Sequence, residues 1–279
     1  MHSIGQFAEI GGVSIKQLRY LEKKNILRPD TRNPENSYRY YSEHQLETLI
    51  YIKKLRELGF DLNRIAEMAR SGSLDGLTGA MHENLAQVKR EMADAVQRHD
   101  NIVEHLNRID DCRAIIEDYF SRGGQSDVRV ISVPRMRLIS IRDNHTANVE
   151  QLFVDRVALL KKRSAEAGVA VDDILIAIFH AGYHDQFSGS YGDLETAYAI
   201  KKGEGAKVRL IRESAAFKGV SAIHVGHYRH MKPLYLRMES WAEEKGIALT
   251  GTAIEKYILG PDMTPNPDEY VTRLILPIS

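Results

Sequence analysis

The stretch SIGQFAEIGGVSIKQLRYLEKK, residues 3–24, contains Ser-x-x-Gln twice, at Ser3–Gln6 and Ser14–Gln17, on either side of Gly11-Gly12. At that spacing the serine oxygen accepts the backbone N–H three residues on, and the glutamine reaches back to the serine's own N–H. The stretch therefore reads as a helix from about Ile4 to Ile10, a break at the glycine pair and a second helix from Ser14, together a helix-turn-helix. Ile15 and Leu18 are expected to face inward. Lys16, Arg19, Tyr20 and Lys23 fall on more outward sides, a pattern that suits the major groove of a duplex and that any solvated helix face shares.

Working outward, a third Ser-x-x-Gln stands at Ser42–Gln45, directly after SYRYY (37–41). Two prolines and several turn formers in RPDTRNPENS (28–37) precede it, so the segment is expected to be a two-stranded wing with its tip near Asn33–Asn36. Strand alternation places Tyr38 and Tyr40 on one side, Arg39 and Tyr41 on the other. One side can pack on the domain while Arg39 and Tyr41, joined by Arg32, are offered to a phosphate backbone. A helix from Glu43 to about Leu58 is expected next, ended by Gly59. A shorter one follows, capped by Asp61, with Leu62, Ile65 and Met68 inward.

Beyond this head, positions 81, 85, 88, 92, 95, 99, 102, 106, 109, 113 and 116 step by four and three, and nine of the eleven are apolar. A heptad seam of that kind needs a partner helix, which implies a dimer and a two-fold DNA site. His99 and Arg113 interrupt it, as partner-specifying or end-of-interface residues. Cys112 near its end is the only cysteine of the chain. It excludes an internal disulfide and a thiol metal cage, and it is expected to be buried and inert.

The bulk properties fit this division. The 279 residues carry 38 Lys/Arg and 38 Asp/Glu, which argues against indiscriminate nucleic-acid coating. Yet residues 1–56 hold ten basic and six acidic residues, and residues 76–120 five and nine. The positive excess lies where the helix-turn-helix is. The longest strong apolar run, DILIAIF (173–179), is far short of a membrane span, and the first residues lack a signal-peptide pattern, so a cytoplasmic protein is expected.

After a joint at 121–127, the C-terminal half repeats itself loosely with a period near 80 residues. Strand-turn-strand segments at 128–143 and 208–225 are each followed by a helix, at about 149–167 and 232–245, and then by two strands. That is a duplicated α+β unit. In AIEKYI, Ala253, Glu255 and Tyr257 share one face of a strand; Glu255 lies either in a pocket or on the solvent side of an edge strand. Tyr183, His224 and Tyr270 are further pocket candidates, with Tyr191 and Tyr228 possible additions. Trp241 is expected in the core between helix and sheet.

The N-terminal residues, in the order SIGQFAEIGGVSIKQLRYLEKKNILRPD and then SYRYYSEHQLETLIYIKKLRELGFDLNRIAEM, resemble the DNA-binding domain of MerR-type bacterial transcription regulators. The likeness covers about the first 75 residues. Carried over position by position, it places Lys16, Arg19 and Tyr20 on the recognition helix and Arg32, Tyr38, Arg39 and Tyr41 on the wing. Leu21 departs from the pattern, where an aromatic often follows the tyrosine. Residues from about 126 onward look like the GyrI-like effector-binding domain (SHS2 type) of the multidrug-sensing branch, in which a glutamate matching Glu255 meets lipophilic cations among aromatics. Ile254 and Gly226-His227 depart from that pattern, since the family often has aromatics there.

The resemblance implies a winged helix-turn-helix at 1–75, an antiparallel coiled-coil helix at 76–120, a linker at 121–127 and an effector domain at 128–279. It implies a homodimer on a pseudo-palindromic promoter operator, acting with RNA polymerase and a small aromatic or lipophilic effector, cations included. Neither a metal nor a cofactor is expected. The alternative is a GyrI-like hydrolase acting on a reactive toxin through Glu255 and Tyr257.

Overall fold

Ser3 and Ser14 both cap helices through complete reciprocal boxes, so α1 spans Ile4–Gly11 and α2 spans Ile15–Lys23. Gly12 ends α1 in the left-handed region at φ 61°, where a β-carbon would be strained. Leu18 is fully buried, but Ile15 is 40% exposed, so the inward stripe of α2 runs through Leu18 and Leu21 instead. The third Ser-x-x-Gln is only half a box. Gln45 Oε1 accepts the Ser42 N–H at 3.0 Å, while no side chain caps the helix, and α3 begins late, spanning Gln45–Glu57. The Gln45 side-chain amide is turned to the Arg28 carbonyl at 2.6 Å, tying the helix start to the base of the wing.

The structure, a computed structural model, describes residues 1–145, 149–188, 192–201 and 211–279. They form two compact units, Met1–Asn101 and Ile102–Ser279. In the first unit, strands β1 (His2–Ser3), β2 (Thr31–Arg32) and β3 (Arg39–Tyr41) form a small antiparallel sheet in the order β1-β3-β2. The N-terminal strand β1 is an addition to the expected wing; it is too short to carry a period-two signal. Asp61 caps α4 (Leu62–Ser71) by accepting from the N–H groups of Asn63 and Arg64 at 2.8 and 3.0 Å. Phe7, Leu18, Leu49, Ile52 and Ile65 make the core under these helices.

The long helix α5 covers Leu74–Ser121. Leu85, Val88, Met92, Ile102 and Leu106 of its seam are all exposed along the single chain. Cys112, by contrast, is fully buried against Leu259 and Val271, and burial raises its thiol pKa.

The second unit holds an eight-stranded antiparallel sheet. Its strands are β4 (Arg129–Val133), β5 (Met136–His145), β6 (Leu175–Phe179), β7 (Gly192–Ala199), β8 (Ile211–Ser214), β9 (Phe217–Val225), β10 (Ala253–Leu259) and β11 (Val271–Pro277). Helices α6 (Val149–Ala167) and α7 (Lys232–Glu244) follow β5 and β9. The order β4-β9-β11-β10-β6-β7-β5-β8 reads as two mirrored halves about the β10·β6 pair, where Glu255 lies opposite Ala177. The expected duplication is therefore present, with one correction. The leading strand of each half does not pair with its successor: β4 pairs with β9, and β8 with β5. Only Pro134-Arg135 joins β4, one edge of the order, to β5, the strand next to the other edge, so the sheet must curl to bring them together there. No helix among the described residues is long and apolar enough to cross a membrane.

Candidate functional site

Two sites emerge, one in each unit. In the first, α2 and the wing enclose a groove of about 620 Å³ lined by Arg19, Lys23, Arg28, Arg32 and Arg39, against Glu22 and Asp30. Lys16, Arg19 and Tyr20 are exposed on the helix that forms one wall, and the Lys24 ammonium lies 5.9 Å from the centre of the Tyr20 ring. Tyr38 is exposed at the wing.

Arg39 and Arg32 do not stand free. Both donate to the Glu22 carboxylate, Arg39 Nε at 2.7 Å. Burial pushes the Glu22 carboxyl up, but the hydrogen bonds and charges of the two arginines outweigh it and hold the group below its ordinary value. The wing is thereby fastened to α2 by a three-member ion cluster, and both guanidiniums retain further donors for an anion.

Tyr41 corrects the expectation of an outward ring. It is fully buried, stacked on Phe7 at 4.6 Å between centroids and 19° between planes. Its hydroxyl is buried without a hydrogen-bond partner among the described residues. The strand β3 is the middle one of its sheet, and its Tyr41 end folds against α1; alternation alone could not say which side faced the core. Leu21, the departure in α2, is likewise buried.

In the second unit, Glu255 has no exposed surface, so it does not lie on the solvent side of an edge strand. Its Oε1 accepts from Tyr235 Oη at 2.6 Å and from Gln186 Nε2 at 3.1 Å, and its Oε2 accepts from Tyr257 Oη at 2.5 Å. All three donors are neutral. Burial raises the Glu255 pKa, and the three hydrogen bonds pull the other way without overcoming it. The Tyr235 and Tyr257 hydroxyls are also pushed well above the ordinary value, first by burial and then by the neighbouring carboxylate.

Aromatic rings extend the site in two directions. Tyr183 stacks on Tyr235 at 5.1 Å and donates to Glu239 at 2.5 Å, while Phe187 meets Tyr235 edge-on at 5.8 Å. On the other side Tyr228 meets Tyr257 edge-on at 6.3 Å and stacks with Tyr270 at 6.2 Å. Thr272 on β11 pairs with both Tyr257 and His224, so His224 shares this face. Its ring bonds the His227 carbonyl at 3.0 Å, fixing the turn that carries Tyr228, and burial first of all lowers its pKa.

Thus Glu255 and Tyr257 are in direct contact, Tyr183 and Tyr270 are linked to them through one further tyrosine each, and His224 acts on the adjoining turn. Tyr191 lies outside the described residues, as do residues 208–210 of the expected second strand-turn-strand segment. Trp241 is half-buried against the core between α7 and the sheet.

Tyr235 and Gln186 were not expected. A signal for Tyr235 existed: Tyr235, Met238 and Ala242 form the buried stripe of α7, continued by Met231 at its cap, and a tyrosine in such a stripe needs a partner for its hydroxyl. Gln186 sits in a short 3-10 turn, Tyr183–Ser188, with no pattern to mark it.

A family model described as "MerR HTH family regulatory protein" matches residues 2–72. The chain is 31% identical over 109 residues to "Heavy metal-dependent transcription regulator 2" of Rhizobium meliloti (strain 1021), a match that takes in 37% of this chain and 73% of that one. It is 33% identical over 91 residues to "Multidrug-efflux transporter 1 regulator" of Bacillus subtilis (strain 168), covering 33% of this chain and 32% of that one. Among solved structures, the chain in "Cryo-EM structure of EcmrR-DNA complex in EcmrR-RPo" aligns over 100% of this chain and 99% of its own, at 23% identity and a TM-score of 0.48.

Proposed function

Because the chain belongs to the MerR family of helix-turn-helix regulatory proteins, we propose that it works as a homodimeric transcription regulator. Two copies of its head read a pseudo-palindromic promoter operator, and the second unit senses small aromatic or lipophilic compounds, cations above all. Lys16 and Arg19 are the base readers, with Tyr20 beside them. Arg32, Tyr38 and Arg39 position the wing on phosphates, held in place by Glu22. The exposed apolar seam of α5 supports the dimer, and the coiled coil spaces the two heads.

The observation that carries the effector half is the Glu255 carboxylate, buried among tyrosines with three neutral donors and, among the described residues, no cationic side chain on it. A buried carboxyl in that setting favours its protonated form. A lipophilic cation stacked on the surrounding rings restores the charge and is attracted by carboxylate and ring faces together. The mirrored halves of the second unit support its reading as a GyrI-like effector-binding domain. Effector binding then favours one conformation of the dimer, and with it a deformed promoter that RNA polymerase engages.

The test is a titration of the full chain with tetraphenylphosphonium. Glu255→Gln should weaken binding by about tenfold or more, since it removes the opposite charge at the centre of the ring cluster. Equal affinity in both proteins would remove Glu255 from the site. The acid–base reading, in which Glu255 and Tyr257 hydrolyse a reactive toxin, predicts instead that a reactive ligand is consumed when mass spectra are taken afterwards.

A further inference from the structure

On β10, Glu255 faces one side of the sheet and the next residue, Lys256, faces the other. Lys256 lies directly across from Arg273 of β11, and Arg273 lies across from Ile223 of β9. Two cations opposite one another on adjacent strands repel, and both are half-buried. Among the described residues neither makes an ion pair: the Lys256 ammonium has the Met136 sulfur at 3.8 Å and feels the Asp172 charge from a distance, and Arg273 has no hydrogen-bond or ion-pair partner. Burial and then the neighbouring positive charge lower the pKa of each, Arg273 feeling Arg129 and Lys256 feeling Arg273. Arg129, exposed on β4, pairs with Ser221 of β9, two residues from Ile223.

Arg129 and Arg273 line one cavity of about 350 Å³, whose helical wall includes Ile115 and Tyr119. The acids at its rim are already engaged. Asp118 and Asp127 both accept from Arg122, at 2.9 and 2.6 Å. The cavity therefore joins two guanidiniums that have no ion-pair partner among the described residues to an apolar wall carrying an aromatic ring.

We propose that this cavity is a second ligand site, on the face of the sheet opposite Glu255, for a small organic oxyanion with an apolar body. The two guanidiniums take the oxyanion through paired N–H donors, and Ile115, Tyr119 and Ile223 receive the body. An oxyanion there would relieve the Arg129–Arg273–Lys256 repulsion, which gives the site its selectivity of sign.

The test is calorimetric titration of the full chain with 1-naphthyl phosphate, with the uncharged 1-naphthylmethanol as comparison. Saturable binding is expected for the phosphate and not for the alcohol. Arg129→Gln and Arg273→Gln should each weaken it by about tenfold, Arg273→Lys should retain part of it, and Glu255→Gln should leave it unchanged. Arg129 is exposed, so its substitution tests the site without risk to the fold. Binding that is undiminished in Arg129→Gln and Arg273→Gln, equal binding of the alcohol, or loss in Glu255→Gln would each overturn the proposal.

Discussion

Glu255 and Lys256 are consecutive on β10, yet one is sealed among tyrosine hydroxyls and the other lies on the opposite face across from Arg273. The carboxyl is held above its ordinary pKa by burial. Such a group is neutral in both states at low pH. As pH rises through the unfolded value of about 4.3, the unfolded chain ionises first, and stability falls until the native value is reached. Glu255→Gln should therefore match the wild type near pH 4 and gain on it as pH rises, in melting curves taken across the range. A melting difference independent of pH would show that Glu255 does not titrate above its ordinary value.

The same linkage applies to binding. A cation that pairs with ionised Glu255 must displace a proton wherever the carboxyl is neutral. Affinity should rise with pH below the raised pKa and level off above it. Calorimetry in two buffers of different ionisation enthalpy should detect proton release, and its absence would mean that the cation meets a carboxylate already charged.

Tyr41 separates a ring from its hydroxyl. Its buried oxygen has no partner among the described residues, so Tyr41→Phe should change urea-unfolding stability by no more than about 1 kcal/mol, or raise it. Tyr41→Ala removes the Phe7 stack and leaves a cavity, and should cost about 3–5 kcal/mol. A large loss in Tyr41→Phe would mean that the buried hydroxyl does bond, to an enclosed water.

Glu22 fixes both wing arginines, and Glu22→Gln should release them. With one negative charge fewer, affinity for random duplex should rise by a few-fold, about the effect of one additional phosphate contact, and the preference for the operator should shrink. Fluorescence anisotropy at several salt concentrations checks this. An unchanged ratio of operator to random affinity would show that the clamp has no part in recognition.

Met92 and Leu106 stand exposed on the α5 seam. Replacing either by glutamate should place like charges in a symmetric interface and shift sedimentation toward monomer, by about 2–4 kcal/mol of association energy if the residue is fully buried there. Undisturbed dimers would place the interface elsewhere.

The sequence was most legible where short-range chemistry sets the structure. Ser3–Gln6, Ser14–Gln17 and Asp61 cap the helices they were expected to cap, because a cap needs only residues three apart. Ser42–Gln45 shows the limit: the same motif is pulled apart because Gln45 has a tertiary partner in the Arg28 carbonyl. Tyr41 and Arg39 were read by alternation, which gives the two faces of β3 but not which one meets α1. Glu255 and its neighbour Tyr257 could be suspected from their strand, whereas the other two donors, Tyr235 and Gln186, come from α7 and from a short 3-10 turn, at separations of 20 and 69 residues. The swapped leading strands β4 and β8 were invisible for the same reason, since strand pairing is decided by the curl of the whole sheet.

The most direct measurement is in-vitro transcription from a promoter carrying the operator selected by the full chain from a random duplex pool, with and without tetraphenylphosphonium. The wild type should bind DNA in both conditions and change transcript yield several-fold only with the cation, while Glu255→Gln should bind DNA equally and give no response. A cation response of equal size in both proteins, or none in either, would contradict sensing through Glu255.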